Sequence, residues 1–224
     1  MEKGATIGNT TINKIYKILS KETKNYNVPV VDLINVQTKD PFKVLVTTIL
    51  SARTKDETTA KAARRLFKKV KTLSDLDKLS KKEIEKTIYP VGFYKSKAGY
   101  LKGLPEAIKA RFNNKIPGRI DDLVKLPGVG RKTANLVVAL AFKKPAICVD
   151  VHVHRIMNRI GYVKTKTPFE TETELRKRLP KKYWRTINSI LVAFGQNICR
   201  PTSPFCSKCP IKDYCMKKGV ENSR

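Results

Sequence analysis

The chain is poor in acidic residues and lacks any long apolar segment. Its 224 residues include 19 aspartates and glutamates, against 47 lysines and arginines. No apolar run reaches the roughly 18 residues that a membrane-spanning helix needs, and the first residues lack the basic-then-apolar order of a signal peptide. These absences argue against a helical membrane protein or a secreted one. We expect a soluble, cytoplasmic protein whose cysteines are reduced and form no disulfides.

The excess of basic residues sets the formal net charge at +28. A charge of that size repels itself unless a polyanion is near, so nucleic acid is the natural partner. A lysine-rich solvated surface of the kind found in heat-adapted proteins is the alternative explanation. Hydrophobic residues make up 41% of the chain, enough for one large core or two small ones.

The apolar periodicity is helical almost throughout, which predicts an all-α protein. Asp40-Pro41 has the form of an N-cap followed by a first-turn proline. The short β-branched run 27–33 is interpreted as loop or helix entry, and the tail 216–224 as frayed. Further helices are predicted at 58–70, 96–112, 131–142, 151–160 and 184–198, and after the capping boxes Ser80-x-x-Glu83 and Thr167-x-x-Glu170.

The most informative segment is Leu126-Pro127-Gly128-Val129-Gly130-Arg131-Lys132-Thr133-Ala134. Pro127, Gly128 and Gly130 predict a tight hairpin between two helices, because glycine adopts positive φ at little cost. The second helix begins with backbone amides that have no intrahelical partner, an arrangement that binds phosphate. Lys132 places an amine in that first turn. A phosphate site beside a nucleophile suggests chemistry on DNA.

Four of the five cysteines fall in one segment with the spacing C-x6-C-x2-C-x5-C, namely Cys199, Cys206, Cys209 and Cys215. Four thiols in so short a loop fit a tetrahedral sulfur site, which iron–sulfur clusters and zinc both accept. The single C-x2-C knuckle favours [4Fe–4S] over zinc or unligated thiols. Cys148 stands apart in an apolar run and is interpreted as a small buried residue.

Asp150 has two interpretations. It follows an apolar run and precedes a predicted helix, so it is a good N-cap. The helix 131–142 and its short return could also bring it back toward Lys132. A carboxylate beside that amine is a candidate general base or cation stabiliser.

The hairpin, the Val149-Asp150-Val151-His152 segment and the cysteine cluster resemble endonuclease III, in the same order and at similar separations. The resemblance extends from about residue 41 to 215. It implies a two-domain helix-hairpin-helix glycosylase fold, with a central domain at 34–144. Residues 1–33 and 145–224 would form the second domain, with a C-terminal [4Fe–4S] cluster loop held by the four clustered cysteines.

The resemblance also implies an activity: a bifunctional DNA glycosylase and apurinic/apyrimidinic (AP) lyase that removes oxidised pyrimidines in base excision repair. Lys132 would attack C1′ of the sugar, and Asp150 would stabilise the developing cation. The resulting Schiff base would undergo β-elimination 3′ to the lesion. A phosphate of double-stranded DNA would be held by Gly128, Gly130 and Arg131. The protein would bind this DNA as a monomer.

Three further residues are candidate DNA contacts from the same resemblance. Phe93 occupies the family position of an apolar wedge that fills the gap left by the flipped nucleotide; a core phenylalanine is the alternative. Arg53 stands where endonuclease III carries a glutamine near the orphaned base, which points to a changed preference, toward guanine. Arg200 is the only basic residue between Cys199 and Cys206, where the family loop is usually more basic.

Two other functions compete with this interpretation. A monofunctional mismatch glycosylase of the same superfamily would release the base with water, but such enzymes lack the hairpin lysine. A non-catalytic DNA-binding module would use the hairpin only as a phosphate clip. Strand cleavage at an abasic site separates both from a lyase.

Overall fold

The computed structural model describes residues 6–26 and 40–224, and all regular structure within these ranges is helical. The chain divides into two compact units. The central unit is Val30–Lys144, and the terminal unit combines Met1–Pro29 with Pro145–Arg224. The predicted domain boundary at 33/34 and the predicted loop at 27–33 lie outside the described residues. None of the described helices is long and apolar enough to cross a bilayer.

The described part of the central unit is a helical bundle around one deeply buried helix. Its helices are α2 (Pro41–Ser51), α3 (Asp56–Lys69), α4 (Leu73–Lys78), α5 (Lys81–Ile88), α6 (Tyr94–Phe112), α7 (Ile120–Leu123) and α8 (Arg131–Leu140). As predicted, the Asp40 side chain caps α2 by accepting the Phe42 N–H at 2.9 Å, and Pro41 occupies the first turn. Helix α2 packs against α3, α6 and α8, which places the start of α8 at the edge of this core.

The terminal unit brings an N-terminal helix onto the C-terminal third of the chain. Its helices are α1 (Asn9–Glu22), α9 (Val151–Arg159), α10 (Pro168–Arg178) and α11 (Ile187–Asn197). Helix α11 packs against α1 and α9, and α9 also packs against α10. One hydrophobic cluster joins all four helices to the cysteine segment. The position of α9 therefore links the region of Asp150 to that segment.

Helix boundaries differ from the predictions mainly where short elements intervene. Helix α11 begins at Ile187 rather than residue 184, because a 3₁₀ turn at Lys181–Tyr183 precedes it. The indole of Trp184 donates to the Leu179 carbonyl at 2.8 Å, which anchors that turn. The capping box at Ser80 and Glu83 is confirmed. The periodicity missed α1 and the short helix α4, which contains too few turns for a stripe to emerge. The helix predicted before the hairpin is present as the short α7.

The C-terminal tail was predicted to be frayed, and this prediction is wrong. The Lys218 N–H donates to the Arg159 carbonyl at 2.9 Å, and the Arg224 N–H donates to the Pro204 carbonyl at 2.8 Å. The Arg224 carbonyl in turn accepts the Ser207 N–H at 3.0 Å. The tail is ordered because the irregular cysteine segment offers it backbone partners that a helix would have used internally.

Candidate active site and cysteine cluster

The hairpin between α7 and α8 turns on a glycine in the left-handed conformation. Gly128 has φ of +71°, and a Cβ there would lie 2.6 to 2.9 Å from atoms of the Tyr100 side chain. Gly130 has φ of −86°, and an added Cβ would meet nothing within 4 Å. The predicted need for glycine is therefore confirmed at Gly128. It is wrong at Gly130, whose conformation any residue can adopt.

Lys132 lies in the first turn of α8, directly after the hairpin. The helix begins when the Gly130 carbonyl accepts the Ala134 N–H at 2.9 Å, and no side chain caps this end. First-turn amides and the helix dipole together create a positive potential that favours a phosphate. The side chains of Arg131 and Lys132 are both exposed, so a ligand outside the protein surface is within their reach.

Asp150 is the N-cap of α9. Its Oδ1 accepts the backbone N–H groups of His152 and Val153 at 2.9 and 3.0 Å, so the structural interpretation of this residue is confirmed. The carboxylate is partly buried. Lys132 belongs to the central unit and Asp150 to the terminal unit, and their predicted proximity stays a prediction.

Helix α9 also carries two arginines that hold the segment around Cys199. Arg159 is 9% exposed; it donates to the carbonyls of Arg200 and Pro201, both at 2.6 Å, and its Nη1 lies 3.6 Å from Cys199 Sγ. Arg155 donates to the Cys199 carbonyl at 2.8 Å. Burial lowers the pKa of the Arg155 guanidinium. Both arginines therefore fix the start of the cysteine segment to the helix that Asp150 begins.

The four clustered cysteines line one cavity whose other walls are mostly apolar, formed in part by Ile198, Phe205 and Ile211. Burial, followed by the effect of neighbouring thiols, raises the pKa of Cys209 to about 11 and also raises the pKa of Cys215. A bound cation would instead lower the pKa of these thiols, because it stabilises the thiolate.

The four clustered thiols are a donor set that zinc and iron–sulfur clusters both accept. Within residues 6–26 and 40–224, no three ligating side chains meet around a point that would hold a single ion. Thiolates on one zinc ion lie about 3.8 Å apart, given a Zn–S distance of about 2.3 Å in a tetrahedron. Four thiols that line one mostly apolar cavity are a sulfur-only donor set of the kind that holds an iron–sulfur cluster. Cys148 is 1% exposed and lies outside this set, as predicted.

Arg53 and Phe93 lie together on the surface of the central unit. The Arg53 guanidinium carbon is 5.6 Å from the centroid of the Phe93 ring. Both residues adopt the left-handed conformation, with φ of +52° and +58°. Phe93 is 62% exposed, so the alternative of a core phenylalanine is wrong. The pair forms an exposed surface feature, called the wedge below.

Arg200 is exposed in the terminal unit. Its guanidinium carbon lies 5.1 Å from the centroid of the Phe205 ring, and its Nε donates to the Gln196 carbonyl at 3.3 Å. These contacts orient the side chain without using its whole fork of donors. Its contact with DNA stays a prediction.

Comparisons with known proteins identify the family of this chain. Residues 46–181 match the family model of the HhH-GPD superfamily base excision DNA repair proteins. Endonuclease III of Thermotoga maritima is 45% identical over 181 residues, which cover 81% of this chain and 85% of that protein. The chain belongs to the endonuclease III family. It is a DNA glycosylase/lyase of base excision repair.

Two solved structures have the same fold as this chain. A trapped covalent intermediate of endonuclease III with DNA, an estranged-adenine complex, superposes with a TM-score of 0.84 at 33% identity; the match covers 94% of this chain and 97% of that one. A thermostable thymine-DNA glycosylase superposes with a TM-score of 0.79 at 28% identity, covering 92% and 96%. The endonuclease III complex supports DNA as the binding partner of this chain.

Sequence reasoning missed three residues of this endonuclease III homologue that organise its candidate site. Arg155 and Arg159 gave no signal, since basic residues occur along the whole chain. Lys97 did give one: in α6 it falls on the same face as Leu101, Leu104 and Ile108, all of which are buried. A lysine on an apolar stripe indicates a buried amine that needs partners.

Proposed function

We propose that the protein is a bifunctional glycosylase and AP lyase in which the Nζ of Lys132 is the nucleophile. The amine attacks C1′ of the damaged nucleotide, and the C1′–base bond breaks as the base leaves and takes up a proton. The sugar ring then opens at the C1′–O4′ bond, O4′ takes up a proton and the nitrogen loses one, which gives a Schiff base. The Schiff base loses a proton from C2′, and β-elimination breaks the C3′–O bond, with the 3′ phosphate as the leaving group. The strand is thereby cut 3′ to the lesion.

The observation that carries this proposal is the exposed Lys132 amine in the first turn of a helix that no side chain caps. A phosphate held by the amides near Gly128 and Gly130, with Arg131, would bring the adjoining sugar to that amine. Attack requires the uncharged amine.

Asp150 is proposed to stabilise the cation that develops on the sugar and to assist proton transfer. Its Oδ1 is oriented by two backbone N–H groups, so the carboxylate has a defined direction before substrate binds. A fixed dipole or charge aimed at developing charge lowers the barrier without reorganisation.

The family resemblance and the exposed wedge support a proposal for how the protein selects its substrate. A damaged base inside a duplex must leave the stack before C1′ can be reached. Phe93 would fill the gap, and Arg53 would donate two hydrogen bonds to the orphaned base, which favours guanine. Oxidised pyrimidines are the proposed substrates. The protein is proposed to bind DNA as a monomer. It is proposed to act in the compartment of the cell that contains DNA.

The four clustered cysteines are proposed to hold a [4Fe–4S] cluster. When bound, such a group supplies a multi-point crosslink between segments of an irregular loop. The chain's own residues prepare the site: Arg159 fixes the backbone next to Cys199, and the tail segment covers the loop.

Borohydride trapping on a duplex with one abasic site tests the proposal. Wild type should form a covalent adduct, and Lys132→Ala should form none. Lys125→Ala is the matched control, because Lys125 is another exposed lysine of the same hairpin region, paired with Asp122 at 3.0 Å; it should trap like wild type. A wild type that removes bases without forming an adduct would indicate a monofunctional glycosylase. Tight binding without base release or strand cleavage would indicate a binding module.

A further inference from the structure

A buried lysine lies directly beneath the wedge. Lys97 is 4% exposed, and its Nζ donates to the Leu50 carbonyl at 2.8 Å, to the Ala52 carbonyl, and to Thr54 Oγ1 at 3.1 Å. An ammonium has three hydrogens, and each of these three neutral oxygens takes one. A buried charge is costly unless its hydrogen bonds are satisfied, so the arrangement depends on all three acceptors.

The three acceptors surround Arg53 in sequence. They belong to the last turn of α2 and the chain just after it, where Arg53 adopts φ of +52°. A non-glycine residue in that conformation costs on the order of 1 kcal/mol or more and persists only when its surroundings impose it. Lys97 holds the carbonyl of Ala52 before Arg53 and the hydroxyl of Thr54 after it, and the Thr54 N–H closes the same turn by donating to the Ser51 carbonyl at 3.1 Å.

The same hydroxyl ties in the second half of the wedge. Thr54 Oγ1 accepts the backbone N–H of Gly92 at 3.1 Å. A Cβ on Gly92 would lie 2.5 Å from the Arg53 carbonyl oxygen, so the two segments are in direct backbone contact and only glycine fits. Phe93 follows immediately, with φ of +58°. Thr54 thus joins the amine of Lys97 to the backbone that presents Phe93.

We propose that Lys97 is a positioning residue for base extrusion: its amine holds Arg53 and Phe93 in the paired, left-handed arrangement that enters the DNA stack. This inference rests on the proposed function, since it assigns the wedge its role in that reaction. Desolvation lowers the pKa of Lys97 to about 8, which agrees with an amine enclosed by protein. Lys97 itself touches no substrate; it acts through the backbone of the two wedge segments.

Removal of the Lys97 amine should therefore slow base removal more than strand cleavage at an abasic site. Extrusion of a paired, stacked base needs the wedge in place, because the wedge replaces the lost stacking. An abasic nucleotide has no base to unstack, so its cleavage depends less on the wedge. A general loss of structure would reduce both activities alike.

Lys97→Met keeps the length of the side chain but removes its donors, and Lys95→Met is the matched control at an exposed position of the same helix. Single-turnover base removal from a duplex with one oxidised pyrimidine should fall about tenfold or more in Lys97→Met, the size of effect expected when a positioning contact is lost. Abasic strand cleavage should change by less than about threefold. Lys95→Met should behave as wild type in both assays.

A second pair of variants leaves the buried lysine in place. Thr54→Val removes the hydroxyl that both segments share, and Thr54→Ser restores it. Thr54→Val should show the same selective loss, and Thr54→Ser should recover base removal. Melting temperature and iron content establish that each variant is folded, and Thr54→Val carries the test if Lys97→Met does not fold.

Binding supplies a readout that is independent of catalysis. A 2-aminopurine placed opposite the lesion fluoresces more strongly when its stacking is disturbed, and wild type should raise this signal while Lys97→Met raises it much less. Equal losses of both activities, or an unchanged fluorescence response in the folded variants, would overturn the proposal. If wild type itself shows no glycosylase or lyase activity, the proposed function fails, and the fluorescence comparison still decides the role of Lys97 in placing the wedge.

Discussion

The backbone N–H of His152 donates to Asp150 Oδ1 at 2.9 Å, so the residue proposed to stabilise the sugar cation also begins helix α9. The two roles can be separated by substitution. Asparagine caps a helix about as well as aspartate but carries no charge. Asp150→Asn should therefore keep the melting temperature of wild type and lose base removal by about 100-fold or more, if the charge acts on the transition state.

Asp150→Ala is the counterpart of that variant. It removes both the charge and the cap, so it should lose activity and also about 1 kcal/mol of stability. Chemical denaturation of the three proteins, run beside single-turnover kinetics, measures both effects. Full activity in Asp150→Asn would contradict an electrostatic role.

Arg159 should be required for a stable cysteine segment. Arg159→Met leaves the carbonyls of Arg200 and Pro201 without their donor at a partly buried site, at a cost of about 1 kcal/mol for each lost hydrogen bond. We expect a lower melting temperature and less than half the iron of wild type per protein, measured colorimetrically. Arg64→Met, at an exposed position on α3, should change neither quantity. Wild-type iron content and stability in Arg159→Met would show that the tail and the helices suffice.

The clustered cysteines and the isolated one should respond differently to the same change. Cys206→Ser replaces one proposed ligand and should abolish stable iron binding, seen as loss of visible absorbance. Cys148→Ala removes a buried sulfur that lines no part of the cluster cavity and should keep full iron content, with a loss of about 1 kcal/mol from the small void. Zinc rather than iron in the purified wild type would contradict the cluster assignment.

The two hairpin glycines should tolerate alanine unequally. Gly128→Ala forces a side chain into the left-handed region and against the Tyr100 ring, so stability should fall by more than about 1 kcal/mol and DNA affinity should fall with it. Gly130→Ala meets no steric obstacle and should bind an abasic-site duplex within about threefold of wild type, because the backbone amides stay in place. Fluorescence anisotropy on that duplex at fixed salt compares them. Equal losses would mean that the absence of a side chain at Gly130 is itself needed for DNA approach.

Local patterns in the sequence were enough for much of the molecule. Asp40-Pro41 and the Ser80–Glu83 box mark helix starts because capping depends on neighbours only a few residues away. The helix-hairpin-helix segment and the spacing of the cysteines are contiguous signals, and with the Asp150 segment they led to the family that the comparisons then established. The all-α class follows from the helical spacing of apolar residues along the chain.

Other features depend on contacts between residues far apart in the chain. Which hairpin glycine is needed was decided by Tyr100, a residue of α6 that packs on Gly128. The tail is ordered because the cysteine segment offers it backbone partners. The apolar stripe of α6 marks Lys97 as a buried lysine, but only the fold brings its amine to the end of α2. The sequence by itself determined the all-α class, most of the longer helices, the motifs and the family. The tertiary structure decided which side chains are buried, paired or exposed, because those energies come from long-range neighbours.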